Sequence, residues 1–225
     1  MKLSDIPSVH KILLEDFTSN PAPVIDLMAA QGCSPFQILV ATILSARTKD
    51  ETTSKVIKDK LFPKVKKPTD FDLYSLEEVE QMIFPVGFFH QKAKALKQLP
   101  RVLEERFCGE IPETIEELCE LPGVGRKTAN LVVAVAFKKP AICVDVHVHR
   151  INNRLGLVAT STPQETEFKL REILPIKYWR SWNACFVSFG QRRCRPINPH
   201  CEDCPICKYC NYGNMKKSGA DVGEQ

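Results

Sequence analysis

From Pro35 to Leu44 the chain reads PFQILVATIL, and Phe36, Ile38, Leu39, Val40, Ala41, Ile43 and Leu44 would point in every direction around a helix that Ser34-Pro35 is suited to open. A helix that is apolar around its whole circumference cannot lie on a surface, so other elements must enclose it. The rest of the chain supplies helices for that purpose. It shows no strand-like alternation of apolar and polar residues, no internal repeat and no low-complexity tract. An all-α fold is therefore expected, and 225 residues of which 44% are hydrophobic can bury a large core as one domain or two small lobes.

Local signals place the other helices. Ile6, Val9, Leu13 and Phe17 form a helical stripe that Asn20-Pro21-Ala22-Pro23 breaks. Asp50 is suited to cap a helix over residues 51–61. Ser75 with Glu78 forms a capping box for a helix that Pro85 closes. Lys94, Lys97 and Arg101 share a face of the following helix, either a phosphate track or a wet surface, and Pro100 should kink or split that helix. Thr114 with Glu117 opens a short helix from Ile115 to about Leu121. Thr162-Pro163-Gln164-Glu165 opens one that ends near Pro175, and a last helix runs from Tyr178 to Phe189, where Gly190 stops it. The polar tail after Tyr212 is expected to be disordered.

Within this frame, LPGVGRKTANLVVAVAFKKPAICVDVHVHR, residues 121–150, carries the chemistry. Pro122 and Gly123 stop the short helix. Gly123 and Gly125 permit positive φ and close approach of another molecule, and the next helix, residues 126–137, directs unpaired N–H groups outward from its start. Such a start binds anions, although a bare P-G-x-G also makes an ordinary tight turn. Lys127 lies in the first turn, where the helix dipole and neighbouring Arg126 disfavour an ammonium; the apolar run from Ala129 to Phe137 should desolvate it further. A neutral amine is a nucleophile, whereas a charged one would serve only as a point charge for phosphate. Asp145 stands before a helical stripe of Val148, Ile151 and Leu155 that Gly156 ends. It reads either as an N-cap or as a carboxylate that stabilises positive charge on a sugar or assists proton transfer, and near Lys127 it would favour the ammonium.

Composition limits the partners. A net charge of +4 and a pI near 8.5 permit nucleic acid without demanding it. No run of about 18 apolar residues and no signal-peptide core is present, which implies a soluble, intracellular protein of the cytoplasm or nucleoid that binds no membrane. Ten cysteines, five of them between Cys194 and Cys210, suit a reducing compartment better than a disulfide framework. Four thiolates can hold tetrahedral zinc or an iron–sulfur cluster. Spacing alone leaves two sets open, Cys194-Cys201-Cys204-Cys210 and the run Cys201-Cys204-Cys207-Cys210.

LPGVGRKTAN followed by VDVHVHR strongly resembles the helix-hairpin-helix DNA glycosylases of the endonuclease III branch, and the resemblance covers nearly the whole chain. It implies an all-α, two-lobed fold with a cleft between the lobes: a helical bundle over residues 30–138, a cluster domain over 139–212 joined by the N-terminal helix within 1–29, and a tail over 213–225. It selects Cys194, Cys201, Cys204 and Cys210 as ligands of a [4Fe–4S] cluster. It also implies a monomeric enzyme of base excision repair acting on damaged double-stranded DNA, a glycosylase and abasic-site lyase for oxidised or ring-saturated pyrimidines, with Lys127 as nucleophile and Asp145 in support. DNA contacts are expected from Arg47, Asp50, Phe88, Leu121, Gly123, Gly125, Arg126, His147, Arg193 and Arg195. Two positions depart from the family pattern: Arg47 stands where a gap-filling glutamine is usual, and Phe88 where a wedging leucine is usual. The rival readings are a glycosylase without lyase activity, against which Lys127 argues, and a non-catalytic DNA-binding iron–sulfur protein.

Overall fold

Side-chain caps set most helix starts in the computed structural model, which describes residues 1–18, Ile25, Met28 and 31–218. Ser34, Ser75, Thr114 and Thr162 each accept a hydrogen bond from the backbone N–H three residues on. These residues open α2 (Pro35–Ser45), α4 (Leu76–Ile83), α6 (Ile115–Leu118) and α9 (Pro163–Ile173). The other helices are α1 (Ile6–Thr18), α3 (Asp50–Val56), α5 (Phe89–Phe107), α7 (Arg126–Val135), α8 (Val146–Leu155), α10 (Trp179–Arg192) and α11 (Asn211–Lys217). No strand occurs among the described residues, so the fold is all-α, and no described helix is long and apolar enough to cross a membrane.

The chain divides into two compact units, Ala22–Lys139 and Met1–Pro21 with Pro140–Gln225. In the first, α2 is enclosed as its composition requires, with every residue from Ile38 to Leu44 buried, and it packs on α3, α5 and α7. In the second, α10 lies between α1 and α8, and Trp182, Phe186 and Phe189 fill a core with Leu13, Val148, Ile151 and Leu155.

Several expectations are corrected. Pro100 does not split α5, which runs unbroken for 19 residues. Leu96, Leu99, Pro100 and Leu103 are all buried, and that packing offsets the roughly 3 kcal/mol a helical proline costs. Gly190 does not end α10. A Cβ there would lie 2.7 Å from Nδ1 of His147, so the glycine serves close packing. Lys49, not Asp50, occupies the N-cap of α3, and Asp50 is its first helical residue, where a carboxylate favours the dipole. Residues 211–217 are helical, since the Cys210 sulfur accepts from the Gly213 N–H and α11 packs on α8. The expected break at residues 20–23 and the tail beyond 218 lie outside the described residues.

Candidate functional site

In the 22–139 unit the turn between α6 and α7 is built around two glycines with different roles. Gly123 takes φ +76°, and a Cβ on it would stand 2.9 Å from Cβ of Ala95 on α5, so the fold itself requires glycine there. Gly125 was expected to use positive φ as well, but it is an extended N-cap at φ −96°, and a Cβ on it would meet nothing within 4 Å. Its bareness leaves open space before the first N–H groups of α7, the place an anion would take. Leu121 turns its side chain into the core. Arg126 is half-buried, with a guanidinium nitrogen 3.8 Å from Glu116. Lys127 is exposed, so the desolvation expected from the apolar helix does not reach its side chain, which leaves the core-facing side of α7 to Ala129, Val132 and Val133.

Behind this turn, α2 and α5 present a second feature. The chain leaves α2 at Ser45 and enters α5 at Phe88, and the two ends meet. Arg47 (φ +54°) and Phe88 (φ +59°) both adopt the left-handed conformation that non-glycine residues avoid, and the Arg47 guanidinium lies 5.4 Å from the centre of the Phe88 ring. Phe88 is 54% exposed, which suits a wedge rather than a core residue. Neighbouring Phe84, also half exposed, packs edge-on against Phe89. Asp50 follows at the exposed start of α3. Lys97, expected on a phosphate track, instead donates to the carbonyls of Phe71 and Tyr74 at 2.8 and 2.6 Å.

In the second unit Asp145 is buried at the start of α8. Its Oδ1 accepts from the backbone N–H groups of His147 (2.9 Å) and Val148 (3.0 Å), so the capping role read from sequence is realised. The His147 ring packs on Gly190 and meets Arg150 at 3.1 Å. Arg193 is tied to the Asp203 carboxylate at 2.7 Å, Arg192 pairs with Asp16, and Arg195 is exposed.

Cys194, Cys201, Cys204, Cys207 and Cys210 line one pocket with Ile151, Leu155, Phe189 and Ile206. Burial pushes the Cys204 thiol up to about 12 and Cys210 up to about 11, so bare thiolates here would be costly, and a cationic metal core is what offsets such a cost. Arg154, absent from the sequence reading, is 6% exposed and organises the surrounding loop. It donates to the Cys194 sulfur (3.5 Å) and to the carbonyls of Arg195 and Pro196 (2.7 Å each), and its guanidinium stacks on Tyr212 at 4.6 Å. Arg150 adds a bond to the Cys194 carbonyl at 2.8 Å. The donor set therefore fits an iron–sulfur cluster: soft thiolates, an apolar wall and N–H donors toward sulfur. Among the described residues no three His, Cys, Asp or Glu side chains are preset around one metal ion.

The profile of the HhH-GPD superfamily of base excision DNA repair proteins matches residues 40–176. Endonuclease III of Thermotoga maritima is 45% identical over 82% of this chain and 86% of its own. Among solved structures, a non-covalent endonuclease III–DNA complex superposes with a TM-score of 0.84 at 34% identity, covering 97% of this chain and 99% of that one. A trapped endonuclease III–DNA covalent intermediate follows with a TM-score of 0.82 at 33% identity, covering 96% and 99%.

Proposed function

Since the chain belongs to the HhH-GPD superfamily of base excision DNA repair proteins, we infer that it is a DNA glycosylase and abasic-site lyase that acts on damaged duplex DNA. The observation that carries this reading is Lys127, an exposed residue in the first turn of α7, directly after the open space at Gly125. A helix start with bare N–H groups holds a DNA phosphate, and a lysine beside it is placed to reach the sugar of the same backbone. In its uncharged form the Nζ attacks C1′ of the damaged nucleotide, and the bond to the base breaks with the base leaving protonated. The C1′–O4′ bond of the sugar ring then opens, with O4′ taking up a proton from water, and the resulting Schiff base acidifies the neighbouring C2′ proton, whose loss expels the 3′ phosphate by β-elimination. Asp145 supports both steps, stabilising the positive charge that develops on the sugar. The substrates are oxidised or ring-saturated pyrimidines and abasic sites. Extrusion of the damaged nucleotide leaves a gap for Arg47 to fill, while Phe88 wedges apart the adjoining base step. The permanently charged Arg47 can bond an orphaned base edge or a phosphate, so any opposite-base preference is its own rather than a glutamine's.

Cys194, Cys201, Cys204 and Cys210 would hold the [4Fe–4S] cluster, which supplies folding energy to the segment bearing Arg193 and Arg195. Those two cations then face phosphates, and His147, Arg126 and the hairpin glycines add further backbone contacts. Borohydride trapping on a duplex with an abasic site tests the enzymatic reading. A covalent adduct is expected from the native protein and none from Lys127→Gln, with DNA affinity retained. An undiminished adduct from Lys127→Gln would remove Lys127 as the nucleophile, and no adduct from the native protein would leave a binding protein or a glycosylase without lyase activity.

A further inference from the structure

Lys92 has no part in the chemistry above, yet it is the only buried lysine among the described residues. A buried ammonium is tolerated only where every proton is satisfied, and each of its three donors has a partner. Nζ donates to the carbonyls of Leu44 (2.9 Å) and Ala46 (2.6 Å) and to Oγ1 of Thr48 (3.3 Å). The carbonyl of Leu44 is one of those a helix end leaves unpaired, so the cation also sits at the negative end of the α2 dipole. Lys92 therefore grips the chain on both sides of Arg47.

Its other connection is to Phe88. The backbone N–H of Lys92 donates to the Phe88 carbonyl at 3.1 Å, which closes the first turn of α5. A third strand of the same knot runs through Thr48, whose Oγ1 also accepts from the Gly87 N–H at 3.1 Å. Gly87 has no room for a side chain, since a Cβ would lie 2.6 Å from the Arg47 carbonyl oxygen. Two left-handed non-glycine residues are thus held side by side, and the Lys92 ammonium supplies three of the hydrogen bonds that join the two segments, beside the one from Gly87 to Thr48. Local backbone strain persists where surrounding contacts over-determine it.

We propose that Lys92 is a positioning residue for DNA interrogation, whose three hydrogen bonds hold Arg47 and Phe88 in register so that gap filler and wedge enter a kinked duplex as one unit. The proposal rests on the DNA-reading roles assigned to those two residues above. Its ligand is duplex DNA with an extrahelical or missing base; undamaged duplex does not need the paired insertion.

The test is a double-mutant cycle on the full-length protein, with a duplex carrying a tetrahydrofuran abasic analogue and 2-aminopurine beside it. Lys92→Met, nearly the same length without donors, should weaken binding by about 10-fold or more and reduce the 2-aminopurine fluorescence rise that reports unstacking. In an Arg47→Ala/Phe88→Ala background the same substitution should change Kd by less than about 2-fold, because the groups it positions are gone. On a cleavable abasic duplex it should raise KM and leave kcat near the native value, since Lys127 is untouched. An equal loss in both backgrounds would make Lys92 a stability residue only and overturn the proposal. Where Lys92→Met fails to fold, Thr48→Val replaces it in the same cycle: non-additivity with Arg47→Ala/Phe88→Ala supports the proposal and additivity rejects it. The binding cycle uses an uncleavable duplex, so it stands apart from the lyase reading, which the borohydride result alone decides.

Discussion

The hairpin turn and the cysteine loop solve the same problem, holding irregular backbone in a fixed shape, by opposite means. Residues 119–125 lie between two helices, and the turn is seated by glycine contacts on Ala95 and Ile43 of an apolar bundle. Residues 193–206 contain no regular helix and depend on side chains reaching in from elsewhere, chiefly Arg150 and Arg154, around a pocket of thiols. One segment takes its shape from packing that exists before any ligand arrives. The other has donors in place, and there a metal core would make buried thiolates tolerable. Stability should therefore respond to different insults in the two units.

The largest effect separates them by metal. Iron chelation, or Cys201→Ala, should raise amide exchange across residues 193–210 by orders of magnitude while α2 and α5 keep their protection. Equal loss in both units would erase the contrast. Next in size is the pair of glycines. Gly123→Ala meets both a strained φ and the Ala95 methyl, and should cost about 2 kcal/mol or more in urea unfolding. Gly125→Ala should stay within about 0.5 kcal/mol yet weaken duplex binding, because its open space faces the partner rather than the core. Smaller still is Asp145→Asn. Asparagine caps a helix as well as aspartate does, so the melting temperature should barely move while turnover is largely lost. Matched losses would reduce Asp145 to a cap.

The last contrast concerns pH. Burial pushes the Lys92 amine down to about 8 from its ordinary 10.5, so between those values the unfolded chain binds more protons and this group makes stability rise with pH. Below about 8 both states carry the charge and its desolvation cost is present in full. Lys92→Met should lack this contribution, so the unfolding free energy of the native protein minus that of the variant should rise between about pH 8 and 10.5.

Much of the site was legible because its signals are local. The P-G-x-G-R-K turn and the capping residues each act within a few residues, so the pattern and the geometry coincide. Lys92 was passed over although a signal existed: Lys92, Leu96, Leu99 and Leu103 follow one helical stripe, and a lysine on an otherwise apolar stripe is a buried cation in need of partners. Arg154 gave a weaker version of the same hint beside Ile151 and Leu155. Gly190 misled because a glycine near a helix end usually terminates it, whereas here a histidine more than 40 positions earlier occupies the volume of the missing side chain.

From its amino acids alone this protein was committed to helices, to most of their starting points and to a glycine-bearing turn between two of them, since each follows from bonds that reach no further than about four residues. Only the folded chain decided that Pro100 could remain inside a helix, that Lys127 would be exposed, that Lys92 would be buried, and that Arg47 would meet Phe88. Those outcomes depend on which distant segments fill the space around a residue, and burial is a property of packing that no local pattern contains.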